Sequence, residues 1–363
     1  MTLITFQSRI HFASDVLEEA LRAELEESDH RRVLVICEGG VAYQHLLERV
    51  QISLPDSISR EILTLDVNQG KEETAHFALG HDVEDHFDTI IACGTARAIA
   101  HGRKSRNAMS HTRYAALPKE DRRSSRPQMY LPNFYAIPGV DGLPDPCMSG
   151  RSAADHKRTP PNVIICDPSV MARAGPSDIA KAFAATLGRC LATLSESSFN
   201  PLADGIAVEG LRRLAKILDL VHSEQVDYTT HRELMAASLN GSISQQKGPG
   251  LVQSIAGALT QLTQADVDTG SLQRILLPRL LSDLQMIDGS DEALVLRLFD
   301  IEEQTSLSKS VEDMLEPLPL NRSLSDMGFA LTEFQQAITK TQDRIHLSGP
   351  VTTQIQTIVE DVY

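Results

Sequence analysis

The sequence predicts an α/β unit built on a parallel sheet, followed by an all-helical unit. In the first half, short apolar runs alternate with amphipathic segments, which is typical of parallel strands joined by crossover helices. From Pro201 onward the apolar residues follow helical spacing instead. We therefore predict an α/β domain over residues 1–168 and a helical domain over residues 169–363.

Composition and charge narrow the class of protein. The 363 residues are 42% hydrophobic and 23% charged, as expected of a globular chain. A formal net charge of −15 argues against binding to nucleic acid or to an anionic membrane surface. No apolar run approaches the ~20 residues of a membrane span, and the opening MTLITFQSRIHF does not resemble a signal peptide. The expected location is the cytoplasm.

The five cysteines are scattered and include no CxxC pair, so we expect buried free thiols. They are Cys37, Cys93, Cys147, Cys166 and Cys190.

In the first half of the chain, the local pattern of apolar and polar residues predicts the strands and helices. Residues 3–13 alternate weakly and predict an edge ribbon, and a helix is predicted to start at Ser14-Asp15. Short apolar runs predict the strands, at residues 33–37, 62–67, 89–93, 134–137 and 163–166. A helix is also predicted over residues 72–79. The basic segment 102–126 is interpreted as a long exposed loop, with attraction of an anionic ligand as the alternative.

Two turns are candidate phosphate sites. Glu38-Gly39-Gly40 follows one strand, and Gly94-Thr95-Ala96 follows another. A strand, a glycine turn and a helix can together offer backbone N–H groups to a phosphate, and Thr95 would add a hydroxyl. The alternative is that these glycines only let the chain turn. The loop Pro138-Gly139-Val140-Asp141 follows a third strand and is expected to line the ligand crevice.

Histidine spacing does not predict a metal site in the first half. His76, His81 and His86 recur every five residues, and such steps rotate around a helix by about 140° each. The three side chains would therefore not share a helix face.

The domain junction combines a strand end with two helix starts. The strand Val163–Cys166 is stopped by Asp167-Pro168, Pro176-Ser177-Asp178 begins a helix, and Asn200 is the predicted N-cap of the next. Eight helical stretches follow Pro201, the first of them in the helix capped by Asn200, with an interruption expected at Pro278 in the fourth. They cover residues 206–220, 228–239, 250–262, 272–284, 292–299, 311–315, 333–341 and 352–362.

Several partial motifs resemble the iron-containing alcohol dehydrogenase family, which has a dehydroquinate synthase-like fold, and within it the maleylacetate reductases. The matching segments span nearly the whole chain. They are Thr89-Ile90-Ile91-Ala92-Cys93-Gly94-Thr95, Ala136-Ile137-Pro138, Val163-Ile164-Ile165-Cys166-Asp167-Pro168, the stretch NPLADGIAVEGL from Asn200, and Leu276-Leu277-Pro278.

The resemblance implies a dinucleotide cofactor, NADH or NADPH, and a homodimer. It also shows two departures. The family turn has three glycines, whereas this chain has only Gly94 there. The positions of the family's Asp and His metal ligands correspond to Ala185, Arg189, Gly257 and Thr269, so no metal is expected.

Three functional hypotheses follow. The first is a maleylacetate reductase-like, NAD(P)H-dependent oxidoreductase for a carboxylate or keto acid, in which Arg189 binds the carboxylate or polarises the carbonyl. For Arg189, the structural alternative is an ion pair with a carboxylate. The second is a catalytically inactive relative that binds a ligand or a partner protein. The third is a lyase related to dehydroquinate synthase, but that chemistry also needs metal ligands, so the same absences count against it.

Overall fold

The computed structural model describes residues 8–27, 30–65, 87–116, 133–139, 160–263, 265–302, 304–345 and 349–363. The chain divides into two compact units, Thr5–Arg173 and Ala174–Tyr363. The first carries a parallel sheet and the second is helical, so the predicted fold class is confirmed.

Within its described residues, the α/β unit has six parallel strands in the order β1-β6-β5-β4-β2-β3. Helix α1 follows β1, α2 follows β2 and α3 follows β4. The strands are β1 (Arg9–Phe12), β2 (Arg32–Glu38), β3 (Ser59–Leu65), β4 (Thr89–Gly94), β5 (Asn133–Pro138) and β6 (Val163–Cys166). The helices are α1 (Leu17–Glu27), α2 (Val41–Ser53) and α3 (Ala96–Ala116).

Both faces of the central strands are buried, which explains their continuous apolar sequences. Alternate residues such as Val35 and Ile91 join a core cluster that includes Leu17 and Leu21 of α1. The intervening residues are also buried, on the opposite face of the sheet, as in Ile36, Ile90, Ala92 and Phe134.

The predicted loop over residues 102–126 is wrong for its described part, because residues 102–116 continue helix α3. Basic and polar composition suggested exposure, but the buried Arg106 has specific partners. Its guanidinium donates hydrogen bonds to the Pro160 carbonyl at 3.0 Å and to Asn162 Oδ1 at 2.8 Å. Burial lowers the pKa of Arg106 to about 10. The predicted helix 72–79 and His76, His81 and His86 lie outside the described residues.

The second unit contains nine helices within its described residues. They are α4 (Pro176–Ser195), α5 (Pro201–His222), α6 (Tyr228–Ser244), α7 (Leu251–Thr263), α8 (Thr269–Leu284), α9 (Gly289–Leu298), α10 (Leu307–Leu315), α11 (Leu331–Ile345) and α12 (Gly349–Asp361). Helix α4 packs against α5, α6 and α8, and it is buried on all sides over most of its length. The predicted cap is confirmed, since Asn200 Oδ1 accepts from the Ala203 N–H.

The expected interruption at Pro278 is wrong, because α8 runs through this residue. Buried leucines on both sides of the proline, Leu276, Leu277, Leu280 and Leu281, anchor the helix. Their packing outweighs the loss of one backbone hydrogen bond. Within the part of the chain that the structure describes, no helix is long and apolar enough to cross a membrane.

Candidate functional site

The carboxyl ends of β2, β4 and β5 form one edge of the α/β unit, and they bring the predicted phosphate turns together. Strand β4 pairs with β2 on one side and with β5 on the other, with Gly94 opposite Pro138. The chain leaves β2 toward β3 and leaves β4 toward β5, in opposite directions along the sheet. This reversal is a topological switch point, where open parallel sheets bind ligands.

The turn after β4 is built around Gly94. Its φ of +105° lies in the region that favours glycine, and a Cβ there would lie 3.2 Å from the Tyr43 ring. The Gly94 carbonyl accepts a hydrogen bond of 2.7 Å from the Gly139 N–H. The turns after β4 and β5 are therefore held in direct contact.

Thr95 begins helix α3 and is joined to a buried carboxylate. Its Oγ1 accepts from the Ala98 N–H at 3.2 Å, and Ala96 is the first helical residue. The same hydroxyl donates to Glu38 Oε2 at 2.6 Å. Arg97 Nη1 donates to the other oxygen, Glu38 Oε1, at 2.6 Å, and the Glu38 side chain is only 7% exposed.

The turn after β2 lies beside this network. The Gly39 N–H donates to the Leu65 carbonyl at 2.8 Å, and Gly40, with a φ of +101°, is the N-cap of α2. The structure thus brings Gly39, Gly40, Gly94, Thr95, Ala96, Pro138 and Gly139 to one edge of the sheet. Asp141 lies outside the described residues.

Sequence reasoning named Glu38 only as part of a turn and missed Arg97, the other charged member of this site. Glu38 is the last residue of β2, and Arg97 lies two positions after Thr95. The available signal was their position: a charged residue at the carboxyl end of a buried strand and another in the first turn of a helix at the same edge. Only the pairing of β2 with β4 brings the two side chains together.

The described thiols are buried, as predicted. Within the described residues the free cysteines are Cys37, Cys93, Cys166 and Cys190. The neighbouring Cys37 and burial both raise the pKa of Cys93 well above its ordinary value. Such a thiol stays protonated near neutral pH and is a poor nucleophile. Cys147 lies outside the described residues.

Arg189, the predicted catalytic residue, lies in the interior of the helical unit. It is on α4 and is only 5% exposed. Its Cβ lies 3.4 Å from the position that a Cβ on Gly241 of α6 would take. Ala185 is one turn earlier on the same helix and is also buried.

The residues at the family's ligand positions do not fit a catalytic divalent metal. Ala185 offers a methyl group, Arg189 a cation and Gly257 no side chain. Asp268 lies beside Thr269, but its carboxylate caps α8 by accepting from Ser271 N at 3.1 Å and from Ser271 Oγ at 2.9 Å. Across the described residues, no group of three or more His, Cys, Asp or Glu side chains is placed to hold a metal ion.

A parallel sheet with a glycine–threonine turn at its switch point, followed by a helical unit of this order, defines an iron-containing alcohol dehydrogenase-like fold. The solved iron-containing alcohol dehydrogenase from Corynebacterium glutamicum has a TM-score of 0.74 at 15% identity, covering 100% of this chain and 97% of that one. The maleylacetate reductase from Rhizobium sp. strain MTP-10005 has a TM-score of 0.71 at 15% identity, with the same coverage of both chains. At such low identity, these likenesses establish the fold.

Sequence comparison agrees with the fold. A 4-hydroxybutyrate dehydrogenase from Cupriavidus necator is 23% identical over 371 residues, which covers 96% of each protein. No family model matches the chain. The resemblance to the iron-containing alcohol dehydrogenases is therefore confirmed over essentially the whole chain, and the relatives it matches are oxidoreductases by name.

Proposed function

We propose that this protein is an oxidoreductase that binds a nicotinamide dinucleotide at the carboxyl end of its sheet and acts on a small hydroxy or oxo acid. The observation that carries the proposal is the turn after β4. There, Gly94 adopts the positive φ that the turn needs, and Thr95 immediately precedes a 21-residue helix at the switch point and accepts from the Ala98 N–H. When bound, a reduced nicotinamide supplies a hydride to a carbonyl carbon.

The roles of the chain's own residues follow from their positions. The N-terminus of α3 carries partial positive charge and suits the pyrophosphate of a dinucleotide. Glu38 lies at the same edge, where its buried carboxylate is paired with Arg97 and accepts a hydrogen bond from Thr95, which fixes both side chains beside the helix N-terminus.

The substrate class is supported by the named relatives and by Arg189. By their names, these relatives act on small carboxylates: 4-hydroxybutyrate carries a carboxylate and a hydroxyl group that hydride transfer oxidises, and maleylacetate carries two carboxylates. A guanidinium is suited to bind a carboxylate through two hydrogen bonds. We assign this binding role to Arg189, and the chemistry we propose uses no divalent metal.

Calorimetric titration with NADH and NADPH, in the presence of a chelator, tests the cofactor site. We expect saturable binding of NADH. Gly94→Ala should weaken binding about tenfold or more, because the new methyl group is strained at positive φ and crowds Tyr43. Gly205→Ala is the matched control, since a Cβ there meets nothing within 4 Å. Absence of NADH binding to the wild-type protein would refute the proposal.

The role of Arg189 requires a kinetic test. NADH oxidation would be followed with 4-oxobutanoate and maleylacetate, and we expect Arg189→Met to raise KM by about tenfold or more. Arg189→Lys should restore part of the loss because it keeps the charge. Unchanged kinetics in Arg189→Met, with folding confirmed by circular dichroism, would exclude this residue from substrate binding.

A non-catalytic, ligand-binding relative is the second candidate. It is favoured by the loss of donors at the metal positions, two of which are Ala185 and Gly257. NADH binding without turnover of any hydroxy or oxo acid would support this alternative. Stoichiometric oxidation of NADH by such an acid would eliminate it.

A further inference from the structure

Glu38 holds an anionic group at the N-terminus of helix α3. Its Oε2 accepts from Thr95 Oγ1 and its Oε1 accepts from Arg97 Nη1, both at 2.6 Å. Thr95 directly precedes the helix, and Arg97 lies in its first turn. Both oxygens of the carboxylate are therefore engaged at a position where α/β proteins bind phosphate groups.

The Glu38 side chain also lies against the glycine turn after β4. A Cβ built on Gly94 would come within 3.8 Å of the Glu38 Cβ. The pairing of Cys37 with Cys93 explains this contact, because Glu38 and Gly94 are the next residues on their two strands. The carboxylate is only 7% exposed, and it lies beside the turn that a dinucleotide phosphate would approach.

A phosphate at this turn needs hydrogens that Glu38 accepts in the structure. The Thr95 hydroxyl has a single hydrogen, which it donates to Glu38, while its oxygen accepts from the Ala98 N–H. Arg97 Nη1 donates to the same carboxylate. A phosphate oxygen can therefore gain these two donors only if Glu38 releases them.

The chain after Glu38 leaves space for such a movement. Gly40 follows two residues later, and a Cβ built there meets nothing within 4 Å. A carboxylate that rotates away from Thr95 toward this open side can be hydrated, which avoids the cost of a buried, unpaired charge. Arg97 keeps an anionic partner as well, because the phosphate takes the place of the carboxylate.

We propose that Glu38 is an internal anion that occupies part of the dinucleotide phosphate site and is displaced when the phosphate binds. The carboxylate thereby lowers the affinity of the site for phosphate groups. It restricts binding to ligands whose other contacts outweigh the loss of its two hydrogen bonds. This role rests on the oxidoreductase function proposed above, because it places the phosphate at the same turn.

Calorimetric titration of the full-length protein with inorganic pyrophosphate tests the internal anion. We expect Glu38→Gln to raise the affinity about tenfold or more, because an amide oxygen competes less strongly for Arg97 than a carboxylate does. Glu38→Asp keeps the charge but is one methylene shorter, so it cannot span both donors and should also bind pyrophosphate more tightly than the wild type. An effect of net charge alone would leave the affinity of Glu38→Asp unchanged.

Glu61→Gln is the matched control. Glu61 accepts from Arg32 Nη2 at 2.9 Å on the neighbouring strand β3, four residues before the end of that strand. The same loss of charge there should leave pyrophosphate binding unchanged. Circular dichroism of each variant checks that it is folded.

Three outcomes would overturn the role of Glu38 as an internal anion. They are pyrophosphate binding to neither the wild type nor the variants, unchanged or weaker binding in Glu38→Gln, and tighter binding in Glu38→Gln with Glu38→Asp unchanged. A crystal structure of the wild type with pyrophosphate gives a measurement that needs no variant. It should show the Glu38 carboxylate displaced from Thr95 and Arg97, and retention of both hydrogen bonds beside a bound pyrophosphate would refute displacement.

Titration of the same variants with NADH separates this role from the proposed function. If Glu38→Gln binds pyrophosphate more tightly but neither it nor the wild type binds NADH, Glu38 controls a phosphate site and the dinucleotide function is wrong. If the wild type, Glu38→Gln and Glu38→Asp all bind NADH with equal affinity, the dinucleotide function is supported and the internal anion is excluded.

Discussion

Asp167 offers the sharpest test of how the α/β unit is held together. This carboxylate at the end of β6 is fully buried. Its Oδ1 accepts from Asp15 N at 2.9 Å, from Ser169 N at 2.9 Å and from Ser169 Oγ at 2.7 Å. Its Oδ2 accepts from Leu17 N at 3.2 Å and from Arg49 Nη2 at 2.9 Å. One side chain thus ties β6 to the start of α1 and to α2.

Asp167→Asn keeps the shape of this side chain but removes its charge and turns one acceptor into a donor. Arg49 keeps Glu18 as a partner, with Nη2 donating to Glu18 Oε2 at 2.7 Å, so the change removes one of its two carboxylates. Losing this buried charge, and turning an amide nitrogen toward N–H donors that now lack an acceptor, should together cost about 3–5 kcal/mol. For a unit of this size, that cost corresponds to a fall in Tm of about 6–20 °C.

The assay is differential scanning calorimetry, comparing the first transition of the wild type and the variant. Asp178→Asn is the matched control, because that carboxylate accepts only an exposed helix-cap bond from Gly175 N, at 3.1 Å. We expect the control to lower Tm by only a few degrees. If Asp167→Asn lowers Tm no more than the control does, the hydrogen bonds of Asp167 do not provide the main connection between β6, α1 and α2.

The pH dependence of stability gives the same test a second readout. Burial alone would raise the pKa of Asp167, but hydrogen bonds from Ser169, Leu17 and Asp15 outweigh it and hold the pKa below its ordinary value of 3.8. A depressed pKa contributes stability above the unfolded-state value, and this stability is lost as the pH falls through the folded-state value. The Tm difference between the wild type and Asp167→Asn should therefore shrink on acidification below about pH 4. A difference that stays constant down to pH 2 would contradict this account.

Two further outcomes are expected from packing within the described core regions. In Gly102→Ala, the new methyl group would lie 2.6 Å from Ala92 Cβ and 2.8 Å from the Phe134 ring, so overpacking should cost about 1–3 kcal/mol in chemical denaturation. Alkylation of the native protein followed by peptide mass spectrometry should leave four thiols unlabelled until the protein unfolds, and rapid native labelling of any of them would contradict their burial. These are Cys37, Cys93, Cys166 and Cys190.

Much of the fold could be predicted because its signals are local. The strand at Val163–Cys166 is bounded by polar and proline residues, and the Asn200 cap and its following proline mark a helix start. Prediction from the sequence failed where contacts between residues far apart in the chain decide the structure. Polar residues after Ala100 suggested a loop, yet Arg106 is buried against Pro160 and Asn162.

Part of the candidate site could likewise be predicted from the sequence, and part of it could not. The glycine and threonine turns could be predicted, because a strand followed by a glycine and a helix is a local pattern. The partnership of Glu38 with Arg97 could not, since it depends on β2 and β4 being neighbours although more than fifty residues separate them in the chain. Sequence alone therefore determined which segments are strands, helices and turns. Tertiary structure decided which charges meet, and which buried amides, such as Gln273, are left without partners, because pairing and burial depend on residues far apart in the chain.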